Sequence, residues 1–376
     1  MKNQVLQILC EHLANSPDEL ELCISPRYRV MADTCSRYNL TPMPVDIPEP
    51  GSPLVLWGFS KEWINKVHTL YGKDTHLIMK GNPAAYAEYD ISVVGENTAG
   101  EVKKILEYLI KAGRTKVAVF APNRLHFESN YYVRTFLAQA AEMGILMDES
   151  SVFWDSGDNA NSKKPHPLEE CYENLRKDAR QHDAVVCYNT QAAIYLCSRA
   201  REDGIRIPED LFVIGRGDLR LASVISPSIT TVSFSEDEVG QQLVKLYRYL
   251  TSNPYVKSIT VLLDCRITPR ESTACFPLPE QSSPPQDTSF LSEKQTGSDI
   301  YLRIGRIEKM LASCSDMDLR ILSRLRQGES REKIAEQEFI TVSTMRYRLK
   351  RMLKFAGTET KEELFALLDQ YHINID

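Results

Sequence analysis

The chain has 376 residues, 43% hydrophobic and 26% charged, which is the balance of an ordinary globular protein with length for two or three packed domains. A formal net charge of −6 excludes nucleic-acid binding over the whole surface, so any such contact must come from a local basic face. No apolar run approaches the roughly 18 residues of a membrane span, and the nine cysteines, odd in number and without paired spacing, fit reduced thiols of a cytoplasmic protein better than a disulfide or zinc framework.

Taken in chain order, the N-terminal stretch is interrupted by Gln7, Glu11 and His12, which excludes a signal peptide and predicts an amphipathic helix. From Pro53 to Cys275, β-rich runs (PLVLWGF, HLIMKG, ISVVGE, KVAVFAP, SVFW, DAVVCY, LFVIGR, ITTVSF, ITVLLD) alternate with helical stretches. The helical stretches include Thr98–Ala112, Tyr131–Met143 and Glu236–Leu250. Such alternation predicts a parallel, doubly wound sheet architecture. Between Pro44 and Pro53 the chain leaves little room for a helix. Residues 276–298 turn abruptly to Pro, Ser, Gln and Thr, with too little apolar content to pack, and read as a linker. Beyond it, Ile300, Ile304, Ile307 and Leu311 form an apolar seam at 4-3-4 spacing. The seam is either a short dimerisation helix or the core-facing stripe of the helix that opens the last domain.

From Ser315 to Leu368 four short helices are expected: Asp316–Gln327 ending at Gly328, a second capped by Ser330, a third capped by Thr341 and closed at Gly357, and a fourth capped by Thr360. The tight connection at Phe339-Ile340-Thr341 makes the second and third a helix-turn-helix, whose later helix enters the major groove. Between Thr341 and Phe355 lie Arg346, Arg348, Lys350, Arg351 and Lys354 and no carboxylate. A solvated helix face is the other reading of such a charge run. Against it, Met345, Leu349, Met352 and Leu353 make a separate core face, leaving Arg346, Tyr347 and Lys350 together on another side.

The order of these features resembles the LuxR/GerE-type helix-turn-helix family over Ser315–Leu368. The opening is Ser315–Leu322, the glycine turn Gln327-Gly328, the scaffold run Glu332-Lys333-Ile334-Ala335 and the recognition start Ser343-Thr344-Met345-Arg346. The chain departs from the family in a missing proline, Met345 for valine and Arg348 where histidine is usual, which puts sequence preference out of reach. By resemblance, Arg346, Tyr347 and Lys350 would face bases, while Thr344, Arg348 and Arg351 would hold phosphates.

The segments 183–218, 226–250 and 267–274 resemble the sugar-binding effector domain of the LacI/GalR family, with weaker similarity back to Val93–Gly100. The resemblance implies two α/β lobes around a cleft that closes on a small ligand, and dimerisation. Asn189 keeps the family's cleft asparagine, but Gly217 stands where an aspartate would grip sugar hydroxyls and Tyr132 where an arginine is expected. Tyr131, Tyr132, Asn189, Arg216 and Asp218 are therefore the candidates for a different polar ligand, or else structural residues of a domain kept for dimerisation. No GxGxxG after a strand, GxxxxGK[ST], HExxH or GxSxG motif is present and the seven histidines are dispersed, so neither an enzyme nor a metal or cofactor site is expected.

Together the resemblances imply an α/β two-lobed periplasmic-binding-protein-like (type I) domain over residues 1–275, its lobes exchanging chain near 121, 234 and 262. A small all-α helix-turn-helix domain over 299–376 would follow. The expected protein is a cytoplasmic DNA-binding transcription regulator under ligand control. Its expected partners are double-stranded DNA, a sugar-like or other polar effector and a second copy of the chain, with RNA polymerase left open and no membrane involved. A ligand-binding or scaffold protein whose C-terminal helices meet a protein partner is the other reading. The family order is reversed relative to LacI/GalR proteins, whose DNA-binding helices are N-terminal, so their hinge-helix mechanism does not carry over.

Overall fold

The computed structural model describes residues 4–11, 26–49, 51–58, 61–124, 127–145, 147–155, 167–178, 182–274 and 299–373. They fall into two compact units, one of residues 1–102 and 234–266, the other of residues 103–233 and 267–376. The segment 276–298, expected as a linker, lies outside the described residues.

The first unit is built on a six-stranded sheet in the order β11-β5-β4-β3-β1-β2, with β1 Gln4–Cys10, β2 Leu40–Pro44, β3 Leu54–Trp57, β4 Leu77–Gly81, β5 Ser92–Glu96 and β11 Thr260–Leu263. Every pairing in it is parallel. Helices α1 Pro26–Ser36 and α8 Glu236–Ser252 pack on each other, and α2 Lys61–Tyr71 buries Ile64 and Val67 in a core with Leu54, Leu56, Leu77, Met79 and Val93. The N-terminal helix expected from the sequence is corrected here: Gln4–Cys10 is a strand, hydrogen-bonded between β2 and β3. A strand covered on both faces is apolar nearly throughout, and Leu6, Ile8 and Leu9 are all buried. Gln7, the residue that broke the apolar run, is also buried. It accepts the Glu49 backbone N–H at 2.6 Å and donates to the Glu49 carbonyl at 3.3 Å, so its amide fills the place of a ladder partner. Lys80, buried near the end of β4, is held by Glu236 at 2.9 Å and Glu96 at 3.3 Å.

Helix α3 Thr98–Lys111 carries the chain into the second unit. The two units divide first at 102/103, and β6 Val117–Asn123, the strand around residue 121, belongs to the second sheet. The later divisions lie at 233/234 and 266/267. This sheet runs β12-β10-β9-β8-β6-β7, with β7 Val152–Asp155, β8 Ala184–Cys187, β9 Phe212–Arg216, β10 Thr230–Ser233 and β12 Arg266–Thr268. Around it lie α4 Phe127–Glu142, α5 Pro167–Asp178, α6 Thr190–Glu202 and the short α7 Leu221–Val224.

The C-terminal helices are α9 Asp299–Ser313, α10 Asp316–Arg326, α11 Arg331–Gln337, α12 Val342–Ala356 and α13 Lys361–Gln370. They belong to the same compact unit as the second sheet and share its core. The cluster that includes Phe120, Leu196, Leu221 and Ile225 continues without a break through Ile304, Ile307, Met310 and Leu311 of α9 to Leu322, Met345, Met352 and Leu368. The isoleucine seam of α9 is thus core-facing.

Candidate functional site

Two sets of functional candidates emerge, one on α12 and one at the carboxyl edge of the second sheet. The C-terminal helices are shaped by their caps. Ser315 and Asp318 form a capping box at the start of α10. Ser330 caps α11, Thr341 accepts from the Thr344 backbone N–H at 3.1 Å to open α12, and Gly357 closes it in the left-handed conformation at φ +69°. Between α11 and α12, Phe339 takes φ +54° with its ring 96% exposed. Met345, Leu349, Met352 and Ala356 bury one face of α12. Ser343, Thr344, Arg346, Tyr347, Lys350 and Lys354 stand exposed on the other, Tyr347 at 70%. Position 343, the pair 346 and 347, and positions 350 and 354 recur at spacings of three or four residues and form one stripe.

The expected phosphate ligands separate here. Thr344 is exposed at the first turn, its hydroxyl 2.9 Å from that of Thr341. Arg348 and Arg351, however, turn back onto Asp318. The Nη1 of Arg348 and the Nη2 of Arg351 each lie 2.9 Å from one of its carboxylate oxygens, and Arg351 also reaches the Ser313 carbonyl at 3.4 Å. Asp318 has no solvent exposure. Burial pushes its carboxyl pKa up, but the Ser315 backbone N–H, the Arg348 guanidinium and the Ser315 hydroxyl outweigh that and hold it below its ordinary value. The two arginines thus fasten α12 to α10. Arg320 and Arg324 are similarly committed to buried Glu338, at 2.8 and 3.7 Å. What faces solvent on α12 is the set Ser343, Thr344, Arg346, Tyr347, Lys350 and Lys354, of which Ser343 and Lys354 were assigned no contact from the sequence.

At the carboxyl edge of the second sheet, β9 ends on Arg216. Its guanidinium lies over the rings of Tyr132 at 5.1 Å and Tyr188 at 5.8 Å, and those rings meet edge to face at 5.7 Å. Gly217 follows at φ +86°, its N–H donating to the Val232 carbonyl at 2.7 Å, while the Thr190 hydroxyl lies against the carbonyls of Arg216 and Gly217. Tyr132 is 1% exposed and frames Arg216 rather than presenting a surface. Asn189 caps α6, its side-chain oxygen accepting the Ala192 N–H at 2.7 Å. Asp218 is paired with Arg270 at 2.8 Å and accepts the Thr231 hydroxyl at 2.7 Å. Tyr131 is half-buried on α4.

The structure therefore gathers Tyr132 and Arg216 with Tyr188, whereas Asn189 and Asp218 serve the fold. Two further residues of this edge went unnoticed in the sequence: Arg124, just past β6, lies over the Trp154 ring of β7 at 4.7 Å. The available signal was position alone, since Trp154, Tyr188 and Arg216 all fall at the carboxyl ends of parallel strands, where open α/β sheets take ligands. Among the described residues no group of three or more His, Cys, Asp or Glu is placed to hold a metal ion, and no helix is long and apolar enough to cross a membrane.

Comparison with known proteins places this edge in context. Residues 106–273 match the periplasmic binding protein-like domain family. The HTH-type transcriptional repressor CytR of Escherichia coli is 24% identical over 173 residues, 46% of this chain and 49% of that protein. The HTH-type transcriptional repressor PurR of Vibrio cholerae is 28% identical over 140 residues, 37% of this chain and 40% of that protein. The chain thus spans about half the length, or less, of the curated relatives it matches. Among solved structures, the transcriptional regulator CelR in complex with cellobiose aligns with a TM-score of 0.55 at 16% identity, covering 72% of this chain and 86% of that one. The two-sheet α/β fold is that of periplasmic-binding-protein-like regulators, and the named relatives are transcription regulators, not enzymes.

Proposed function

We propose that this chain is a DNA-binding transcription regulator whose recognition element is α12 and whose second α/β unit senses a small polar ligand at the Arg216 edge. The observation that carries the reading is the stripe of Thr344, Arg346, Tyr347 and Lys350, exposed and free of carboxylates on the second helix of a helix-turn-helix, in a chain that is acidic elsewhere. An arginine or lysine on such a helix reads guanine through its major-groove acceptors, and neighbouring hydroxyls reach phosphate oxygens. The match of residues 106–273 to the periplasmic binding protein-like family, together with the similarity to named repressors, supports ligand control. The cap pattern supports a LuxR/GerE-type class for the C-terminal helices. In this reading residues 299–376 are the DNA-reading part, and the regulator acts in the cytoplasm as a homodimer on double-stranded DNA, with a sugar-like or other polar effector and RNA polymerase as its contacts.

Fluorescence anisotropy of a labelled mixed-sequence duplex, titrated at low and moderate salt, tests this. The expected result is steeply salt-dependent binding, with each of Arg346→Ala and Lys350→Ala costing about 1–3 kcal/mol. Binding that ignores salt, or that survives both substitutions, would instead favour C-terminal helices made for a protein partner.

A further inference from the structure

The C-terminal helices are joined to the second sheet by a polar lock as well as by apolar packing. Glu308 of α9 is 1% exposed, and its carboxylate accepts the backbone N–H groups of Arg220 at 3.0 Å and Leu221 at 2.8 Å. Arg220 returns the contact, its Nη1 donating to the carbonyls of Leu311 at 2.8 Å and Cys314 at 3.1 Å where α9 ends. A second seam closes the far end of the bundle. Ile225 and Ile373 form an antiparallel bridge, and the Ser226 N–H donates to the His372 carbonyl at 3.1 Å. Helix α9 also packs along α12, and Arg351 of α12 reaches its Ser313 carbonyl.

The six residues from Arg216 to Leu221 connect these places. One end lies in the Tyr132 and Tyr188 frame and the other in the grip of Glu308. Between them the turn is stiff: the Gly217 N–H is bonded to Val232, Asp218 is tied to Arg270 and Thr231, and Leu219 is buried. A displacement at Arg216 has little slack in which to be absorbed before it reaches Arg220.

On the premise that α12 reads DNA and the Arg216 edge takes a ligand, we infer that Glu308 is the positioning residue that couples the two. The 216–221 turn sets, through Glu308, where α9 stands on the second sheet, and α9 carries α12. A ligand at the Arg216 edge acts on DNA reading through this contact and not through the chain between residues 274 and 299.

The test uses the full chain with a site-specific protease sequence inserted after Gln286. Once cut, the wild-type fragments are expected to co-elute on size exclusion and to bind the duplex as the uncut chain does. Glu308→Ala, which strands the buried Leu221 N–H and the half-buried Arg220 N–H, is expected to weaken co-elution on dilution. Glu308→Gln, which keeps an acceptor oxygen, restores it, and Arg220→Gln gives an independent loosening of the same lock. Arg216→Ala is expected to shift the DNA affinity of the uncut chain, and to lose that effect when combined with Glu308→Ala. Separation of the cut wild-type fragments, or an Arg216→Ala effect that is unchanged in the Glu308→Ala background, overturns the coupling. Failure of the uncut wild-type chain to bind any duplex overturns the regulator reading instead, while co-elution, which needs no DNA, still decides the Glu308 contact.

Discussion

Asp318 decides which cations of α12 are available to a polyanion. Its two oxygens are taken by Arg348 and Arg351, so these side chains are anchored, whereas Arg346 and Lys350 project freely from the exposed stripe. The substitutions should separate accordingly. Arg351→Ala or Arg348→Ala leaves Asp318 with a single guanidinium and is expected to lower unfolding stability by about 1–3 kcal/mol, part of what a buried pair loses because one partner remains. Arg346→Ala should leave the urea midpoint unchanged and act only on DNA affinity. In the first unit, Lys80→Ala removes an ion-pair partner of buried Glu236 and is expected to cost about 3–5 kcal/mol in urea unfolding, whereas Lys80→Met combined with Glu236→Leu should recover most of the loss. Of these features, only the stripe was legible in the sequence. Helical spacing is local, so 346, 347 and 350 fall together by arithmetic. Asp318 lies thirty or more residues from its arginines, and Asp218 lies fifty-two from Arg270, partners that only the folded chain brings together.

At the level of elements, the nine β-rich runs of the central region became strands and the four C-terminal helices took the expected caps, because both depend on neighbouring residues. The N-terminal strand went the other way because its identity depends on pairing with β2 and β3, and Gln7 read as a polar helix face until Glu49 supplied its partner. Two of the buried carboxylates of the bundle, Asp318 and Glu308, lead to opposite pH responses. The Asp318 carboxyl is held below its ordinary value, so its contribution is complete above the unfolded value near 3.8 and is lost as pH falls through the folded one. Burial raises the Glu308 carboxyl above its ordinary 4.5 despite the Leu221 and Arg220 N–H groups, so ionising it costs stability that returns as pH falls through the raised value. Hydrogen-exchange protection factors, referred to the intrinsic rate at each pH, should therefore rise at the α7–α9 contact on acidification from neutral, while those of the α10–α12 junction hold until pH drops below about 4. Asp318→Asn should remove the acid step at α10–α12, and Glu308→Gln should flatten the response at α7–α9. Equal acid loosening at both places would contradict the assignment of the two carboxylates.

Across the whole molecule, the break in composition at 276–298 announces a boundary, yet the helices beyond it share a core with the second sheet. Composition reports whether a segment carries enough apolar area to pack, not what the next segment packs against. The 4-3-4 seam of α9 left that open for the same reason, since an apolar stripe is equally suited to a second copy of the chain or to its own neighbour. A shared core carries a thermodynamic consequence that a tethered domain would not. Ile307 is fully buried where α9 meets the rest of the unit, and Ile307→Ala is expected to cost about 2–4 kcal/mol. Because the core is continuous, that loss should be felt on both sides of the boundary. In native-state hydrogen exchange the slowest amides of β8, at 184–187, and of α12, at 345–353, should lose protection by the same factor. Loss confined to α12 would mean that the bundle opens by itself and is only leaning on the sheet. Equal loss would mean that the Arg216 edge and α12 unfold as one cooperative body.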